Sequence, residues 1–284
     1  MKLYFWKMHG LGNDYILIDN RDERIGDEML ASLAQKLCRR RFSIGADGLL
    51  LLYGSNVADA RMRIFNADGS EAEMCGNGIR CLAKYCYESG VTRKSVMDIE
   101  TLAGIKRVWL QFSGGRVLSV TVDMGAPIFE REKIPVLGEG KLIDEEIDVN
   151  GKRFRATCLS VGNPHCVIFA EDVASFPVDY YGPKIERHKL FPRRINVEFA
   201  QILRPNLIKV RVWERGVGET LACGTGACAS VVAGRILGVL DSECTVQLLG
   251  GDLKIRYDEA NNKIFLTGPA EKVYEGVIEP EGFS

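Results

Sequence analysis

Two stretches of the chain alternate polar and apolar side chains with a period of two. Residues 61–66 read RMRIFN and residues 209–214 read KVRVWE, an alternation that predicts half-buried strands over 60–66 and 207–213. Helical spacing follows each of them: Ile79, Leu82, Ala83 and Cys86 after the first, and Ala227, Ser230, Val231, Ala233 and Ile236 after the second. Gly90 and Gly238 stand where C-terminal helix caps belong. The second helix is rich in small residues and poor in charge, which predicts that it is buried. Further strands are expected at 96–101, 105–112 and 116–123, and again at 244–248, 252–257 and 262–267. An amphipathic helix is expected at 28–38, with Asp27 as N-cap and Met29, Leu30, Leu33, Ala34 and Leu37 facing inward. Residues 128–146 mix charges with turn signals and are expected to form a surface connection.

These elements occur twice because the sequence itself does. At an offset of 148, Arg63 falls on Arg211, Phe65 on Trp213, Asn66 on Glu214 and Glu71 on Glu219. The same offset carries Cys75-Gly76-Asn77-Gly78 onto Cys223-Gly224-Thr225-Gly226, and Gly90-Val91 onto Gly238-Val239. Gly12-Asn13 falls on Gly162-Asn163 at 150, and Met124-Gly125-Ala126-Pro127 on Thr267-Gly268-Pro269-Ala270 at 143. Matches in the same order with slowly drifting offsets indicate two homologous halves. They run over 1–123 and 124–268, with a tail over 269–284. The expected fold class is mixed α/β (α+β): two pseudo-symmetric domains, each a curled sheet around a central helix, with the active site in the cleft between them.

Composition narrows the functional class. A chain of 284 residues with 46% apolar residues holds a substantial core. A net charge of −1, without a basic stripe, speaks against a nucleic-acid partner. The apolar run Leu49 to Tyr53 is far too short to span a bilayer, and the opening residues do not read as a signal peptide. The nine cysteines contain no C-x-x-C pair, so a zinc ribbon or thioredoxin-like motif is not expected. Free thiols in a reducing cytoplasm are the simplest placement. Most of the cysteines are expected to be inert core residues.

Cys75 and Cys223 stand apart because each ends a strand–turn and begins a helix. Helix N-termini carry unpaired N–H groups and partial positive charge. A thiol there has its pKa lowered, and the adjoining glycines let a carboxylate dock closely. Two such cysteines, one on each face of a substrate α-carbon, can act as base and acid and invert the centre. No pyridoxal cofactor or metal is needed. Symmetry breaks where Asn66 is replaced by Glu214 and Tyr15 by His165. Glu214 is then suited to a distal ammonium and Arg215 to a distal carboxylate. Glu71 and Glu219 are expected to brace the turn before each cysteine. Asn13 and Asn163 are either left-handed turn residues or cleft contacts. Arg80 and the cluster Arg39-Arg40-Arg41 are expected to be solvated charges. The alternatives are a racemase of proline or hydroxyproline, which has no use for Glu214-Arg215, and a metal-binding protein built on the cysteines.

The stretches HGLGNDY (9–15), FNADGSEAEMCGNGIR (65–80), GNPHCV (162–167), RRIN (193–196) and WERGVGETLACGTGAC (213–228) resemble the diaminopimelate epimerase family over essentially the whole chain. The resemblance implies cofactor-independent interconversion of LL- and meso-2,6-diaminopimelate in lysine biosynthesis. It also implies a small-molecule partner, a homodimer, and a C-terminal tail that rejoins the first domain. From LL to meso, it makes Cys223 the proton acceptor and Cys75 the donor. It assigns substrate contacts to Asn13, Asn66, Gly76, Asn77, Asn163, Asn196, Glu214, Arg215, Gly224 and Thr225, and tuning of the thiols to His165 and Glu214. Some members carry glutamine where this chain has Gly48, so that contact is absent here.

Overall fold

The computed structural model describes residues 2–279. The chain divides into two compact units, one holding residues up to Val122 together with those from Gly268 onward, the other Asp123–Thr267. No helix among the described residues is long and apolar enough to cross a membrane.

The first unit is built on strands β1 (Leu3–Gly10), β2 (Asn13–Asp19), β3 (Gly48–Tyr53), β4 (Ala60–Asn66), the two-residue β5 (Glu71–Ala72), β6 (Val96–Thr101), β7 (Gly104–Ser113) and β8 (Arg116–Gly125). Strand β2 runs parallel to β3 and β4 parallel to β6, while β1–β2, β3–β4, β6–β7 and β7–β8 are antiparallel. Helix α1 (Asp27–Leu37) covers one face of the sheet and α2 (Gly76–Glu88) the other. Being covered on both faces is why β3 reads GLLLLY with all six residues buried. Leu30, Leu33, Ala34 and Leu37 of α1 pack with Leu49, Leu51 and Phe65. Met29 is only partly buried. Gly26, not Asp27, is the N-cap of α1; the Asp27 carboxylate instead accepts from Arg63 at 2.6 Å.

The second unit contains β9 (Glu145–Val149), β10 (Lys152–Ser160), β11 (Pro164–Phe169), β12 (Asn196–Arg204), β13 (Leu207–Glu214), β14 (Gly218–Thr220), β15 (Glu243–Leu248), β16 (Gly251–Asp258) and β17 (Lys263–Gly268). Its pairings repeat the first unit's: β11 parallel to β12, β13 parallel to β15, the other neighbours antiparallel. Helix α4 (Gly224–Ile236) packs against strands from β10 through β16, and α3 (Val178–Glu186) covers the other side. The small residues of α4 are nearly all buried. Residues 128–146 are not purely a surface connection. Ile134, Val136 and Leu142 join the unit's core with Phe154, Ile185 and Phe199. An alternation of single apolar residues among charges hides such a contribution, because no regular period marks it.

Both units have eight principal strands in the same order of sense, but the eighth comes from different places. In the second unit it is β9, which pairs with β10. In the first it is β18 (Glu271–Ile278), the end of the chain, antiparallel to β1 with Leu3 opposite Ile278 and Tyr4 opposite Val277. Of the tail expected to rejoin the first half, residues 280–284 lie outside the described residues. Gly90 and Gly238 adopt φ of +82° and +73° directly after the central helices, as αL caps do.

Candidate active site

The two short strands before the cysteines show how each is positioned. Phe65 pairs with Glu71 across β4–β5, and Trp213 with Glu219 across β13–β14. Glu71 grips Arg63 with two bonds of 2.7 and 3.0 Å; Glu219 grips Arg211 at 2.6 and 2.9 Å. These bidentate pairs lock both turns, so the two glutamates are braces. Cys75 and Cys223 emerge as the N-cap residues of α2 and α4, each with extended φ and ψ. Of the nine cysteines, Cys75 is half-buried and the other eight are buried. Burial pushes the Cys38, Cys81 and Cys86 thiols up to about 12 and Cys244 to about 11, which fits an inert role for these four.

Around Cys75 the side chains form an oriented chain of donors. The buried Arg80 donates to Asn77 Oδ1 at 2.9 Å, Asn77 Nδ2 donates to Asn13 Oδ1 at 3.1 Å, and Asn13 Nδ2 donates to Asp47 Oδ2 at 2.9 Å. A cation at one end and a carboxylate at the other fix which way both amides face. The Tyr15 hydroxyl contacts both Asn13 Oδ1 and, at 2.9 Å, Cys75 Sγ. Arg80 is therefore not the solvated charge its position suggested. It is fully buried and also donates to Gly76 O at 2.9 Å and Pro269 O at 3.0 Å. Arg40, unlike Arg80, stays exposed as expected of its cluster, and it pairs with Asp14 at 2.6 Å and Asp47 at 2.8 Å. Burial by itself would raise the Asp14 carboxyl, but hydrogen bonds from Arg40 and Lys7 bring it down to about 2. Asn66 is exposed, with its amide on Ser70 Oγ at 3.0 Å.

Around Cys223 the surroundings differ. Its sulfur accepts from the Gly226 N–H at 3.3 Å and lies 3.4 Å from Thr225 Oγ1. Glu214 accepts from Thr220 Oγ1 at 2.5 Å. His165, fully buried, is held between Asn163 Oδ1 at 2.8 Å and Glu198 Oε1 at 2.7 Å. Glu198 Oε2 has no hydrogen-bond partner among the described residues. A Cβ at Gly226 would lie 2.7 Å from Glu198 Oε1 and 3.3 Å from Cys223 Sγ, so glycine is needed for that carboxylate and the thiol to approach this closely. Asn196 is buried with its amide spent on the backbone, donating to Pro164 O at 2.8 Å and accepting from Arg215 N at 2.9 Å. The Arg215 side chain is exposed and reaches Arg193 O at 3.4 Å.

The lowered thiol expected at both helix ends is not what Cys223 shows. Burial, then the charges of Glu214 and Glu198, push it well above its ordinary value despite the Thr225 and Gly226 donors. Desolvation and two like charges outweigh one helix terminus. Asn13 and Asn163 are not the left-handed residues of their turns. Gly12 and Gly162 are, with φ of +86° and +90°.

Sequence reasoning gave no role to Glu198 and treated Tyr15 only as a point of asymmetry. The alignment of Tyr15 with His165 was the available signal for one. A carboxylate between Val197 and Phe199-Ala200 in β12 was the signal for the other.

A family model described as diaminopimelate epimerase matches residues 5–130 and 157–273. A diaminopimelate epimerase from Moorella thermoacetica is 54% identical over 275 residues, covering 96% of this chain and 98% of that protein. One from Acetivibrio thermocellus is 51% identical over 276 residues, covering 97% and 98%. Among solved structures, a hydroxyproline epimerase from Agrobacterium vitis, with bound trans-4-hydroxy-L-proline, superposes with a TM-score of 0.72 at 16% identity. That match covers 98% of this chain and 91% of that one. A probable proline racemase from Agrobacterium radiobacter gives 0.72 at 16% identity, covering 99% and 93%. At that identity the likeness is one of fold.

Proposed function

The chain belongs to the diaminopimelate epimerase family, and we propose from that premise that it interconverts LL- and meso-2,6-diaminopimelate with Cys75 and Cys223 as its acid–base pair. The reaction is an isomerisation in lysine biosynthesis. The observation that carries the two-thiol reading is the occurrence of a cysteine at the N-cap of the central helix in each unit, behind the same braced turn.

The protons balance without a cofactor. From LL to meso, the Cys223 thiolate takes the α-proton, and the electron pair moves onto the α-carboxylate. The Cys75 thiol delivers its proton to the opposite face, leaving Cys75 as thiolate and Cys223 as thiol. The reverse reaction starts from that state. The first N–H groups of each central helix lack intrahelical partners, so the backbone at Gly76, Asn77, Gly224 and Thr225 is suited to the charge that builds on the carboxylate. Glu214 is assigned to a substrate ammonium and Arg215 to the distal carboxylate, with Asn13, Asn66, Asn163 and Asn196 as further contacts or their supports. An ammonium beside Glu214 offsets one of the charges that holds the Cys223 thiol up. Substrate binding then helps to create the base that consumes it.

We assign the enzyme to a reducing cytoplasm, which the mechanism's two free thiols require. We also assign it a homodimer. Its support is a set of exposed apolar side chains on the adjacent strands β1 and β18: Tyr4, Val273, Tyr274 and Val277. Sedimentation of the pure protein tests the dimer. The reaction is tested by proton NMR of LL-diaminopimelate with the protein in deuterated water. Loss of the α-proton signal with appearance of the meso isomer is expected, and a signal that persists unchanged overturns the proposal.

A further inference from the structure

We propose that the Tyr15 hydroxyl is the hydrogen-bond switch of Cys75, accepting from its thiol and donating to its thiolate. This rests on the acid–base role given to Cys75 above.

The oriented amides decide the geometry. Asn13 Oδ1 is fixed as an acceptor, because Asn13 Nδ2 donates to Asp47 and Asn77 Nδ2 donates to Asn13 Oδ1. The Tyr15 hydroxyl has one proton and two neighbours, Asn13 Oδ1 and Cys75 Sγ. When Cys75 is a thiol, the hydroxyl donates to Asn13 and its oxygen accepts the S–H. When Cys75 has lost its proton, the hydroxyl turns and donates to the sulfur, while Asn13 Oδ1 keeps the Asn77 amide. No group moves beyond rotation of one O–H bond. A charge-assisted bond of this kind favours the thiolate.

Two features keep the hydroxyl in this role. Tyr15 is buried, and burial followed by the neighbouring Cys75 holds its phenol well above the ordinary value, so it stays a donor throughout. The other titratable groups facing it are Cys81 of α2 and Asp47 before β3. Burial keeps Cys81 a thiol, and Arg40 and Asn13 hold Asp47. Gly48 borders the ring. A Cβ there would lie 3.4 Å from two carbons of the Tyr15 ring and 2.8 Å from Phe65 O. The first is ordinary contact and the second is too close, so the glycine is required by the Phe65 carbonyl rather than by the ring. His165, which takes the matching place in the second unit, is bonded instead to Asn163 and Glu198. The two thiols thus have different partners.

The test is the pH dependence of Cys75 alkylation by iodoacetamide in the full-length protein, read by peptide mass spectrometry. Tyr15→Phe keeps the ring and removes only the hydroxyl. Its Cys75 profile is expected to move up by about one pH unit, with alkylation at neutral pH about tenfold slower. Site-specific 3-fluorotyrosine at position 15, a stronger donor, is expected to move the profile down. An unchanged profile in both proteins, or a shift in the same direction in both, overturns the proposal. Should Tyr15→Phe fail to fold, the fluorinated protein alone decides. The reading is independent of turnover. A wild-type protein that does not exchange the diaminopimelate α-proton would defeat the proposed function, whatever the Cys75 profile shows.

Discussion

At the scale of single residues, the two cysteines are matched in backbone position and unlike in charge. Cys75 faces a phenol and the neutral Asn13 amide, while Cys223 has Glu214 and Glu198 near it. An enzyme that inverts a centre in both directions needs each thiol to serve as acid and as base, so this difference sets the resting state. Cys223 is held as a thiol, and its ionisation is linked to Glu214. Glu214→Gln removes a like charge and is expected to lower the Cys223 titration. Thiolate ultraviolet absorbance in a Cys75→Ser background reads this; a midpoint that rises or stays fixed contradicts the assignment. Cys75→Ser or Cys223→Ser should each reduce diaminopimelate α-proton exchange by at least about 100-fold, the lower end of general acid–base contributions. Either variant exchanging at the wild-type rate would end the two-thiol mechanism. Arg215→Ala should raise KM more than it lowers kcat, since a distal clamp contributes equally to ground and transition states; a loss confined to kcat speaks against the clamp.

At the scale of elements, the central helices were legible because their pattern is local. The duplicated strand, the braced turn, the cysteine at the cap and the closing glycine all lie within about thirty residues of sequence, and the offset of 148 carries Ile64–Ala72 onto Val212–Thr220 in the same pairing. What was not legible depends on partners distant in sequence. Arg80 looks like an ordinary helix charge until Pro269, from the far end of the chain, supplies a carbonyl to it. The strand β18 and helix α3 carry no strong period, and the glycine- and charge-bearing motif at the end of β1 and start of β2 masks their alternation. Tyr15 needed Cys75, sixty residues on, before its hydroxyl had a role. Arg80 gives this scale its prediction. Its bonds to Gly76 O and Asn77 Oδ1 fix the first turn of α2, and a Cβ at Gly10 would come within 2.8 Å of its guanidinium. Arg80→Met should cost about 2–4 kcal/mol of stability, measured by urea unfolding, because it leaves buried carbonyls without their donor. A loss below about 1 kcal/mol would mean that the network is dispensable.

At the scale of the whole molecule, the two sheets are completed by strands from different parts of the chain. Each eight-stranded sheet needs a strand beside β1 or β10. The second unit takes its own from the segment just before, β9, and the first is completed by β18. The chain passes between the two units at residues 122–123 and 267–268. The proposed mechanism adds a requirement of its own: both thiols must reach the same carbon from opposite sides. That requirement is testable without substrate. Two sulfurs able to flank one carbon are close enough for a disulfide after a small movement. Mild oxidation by oxidised glutathione, which takes up the two electrons released, is expected to join Cys75 to Cys223 and to abolish activity until dithiothreitol restores it. Peptide mapping identifies the bond. The remaining cysteines are buried and serve as internal controls. If Cys75 is recovered only as a mixed disulfide with glutathione, and Cys223 stays free at every oxidant concentration, the two thiols do not share a substrate. The acid–base pairing would then have to be abandoned, even though the family assignment, which rests on the sequence match over the whole chain, would stand.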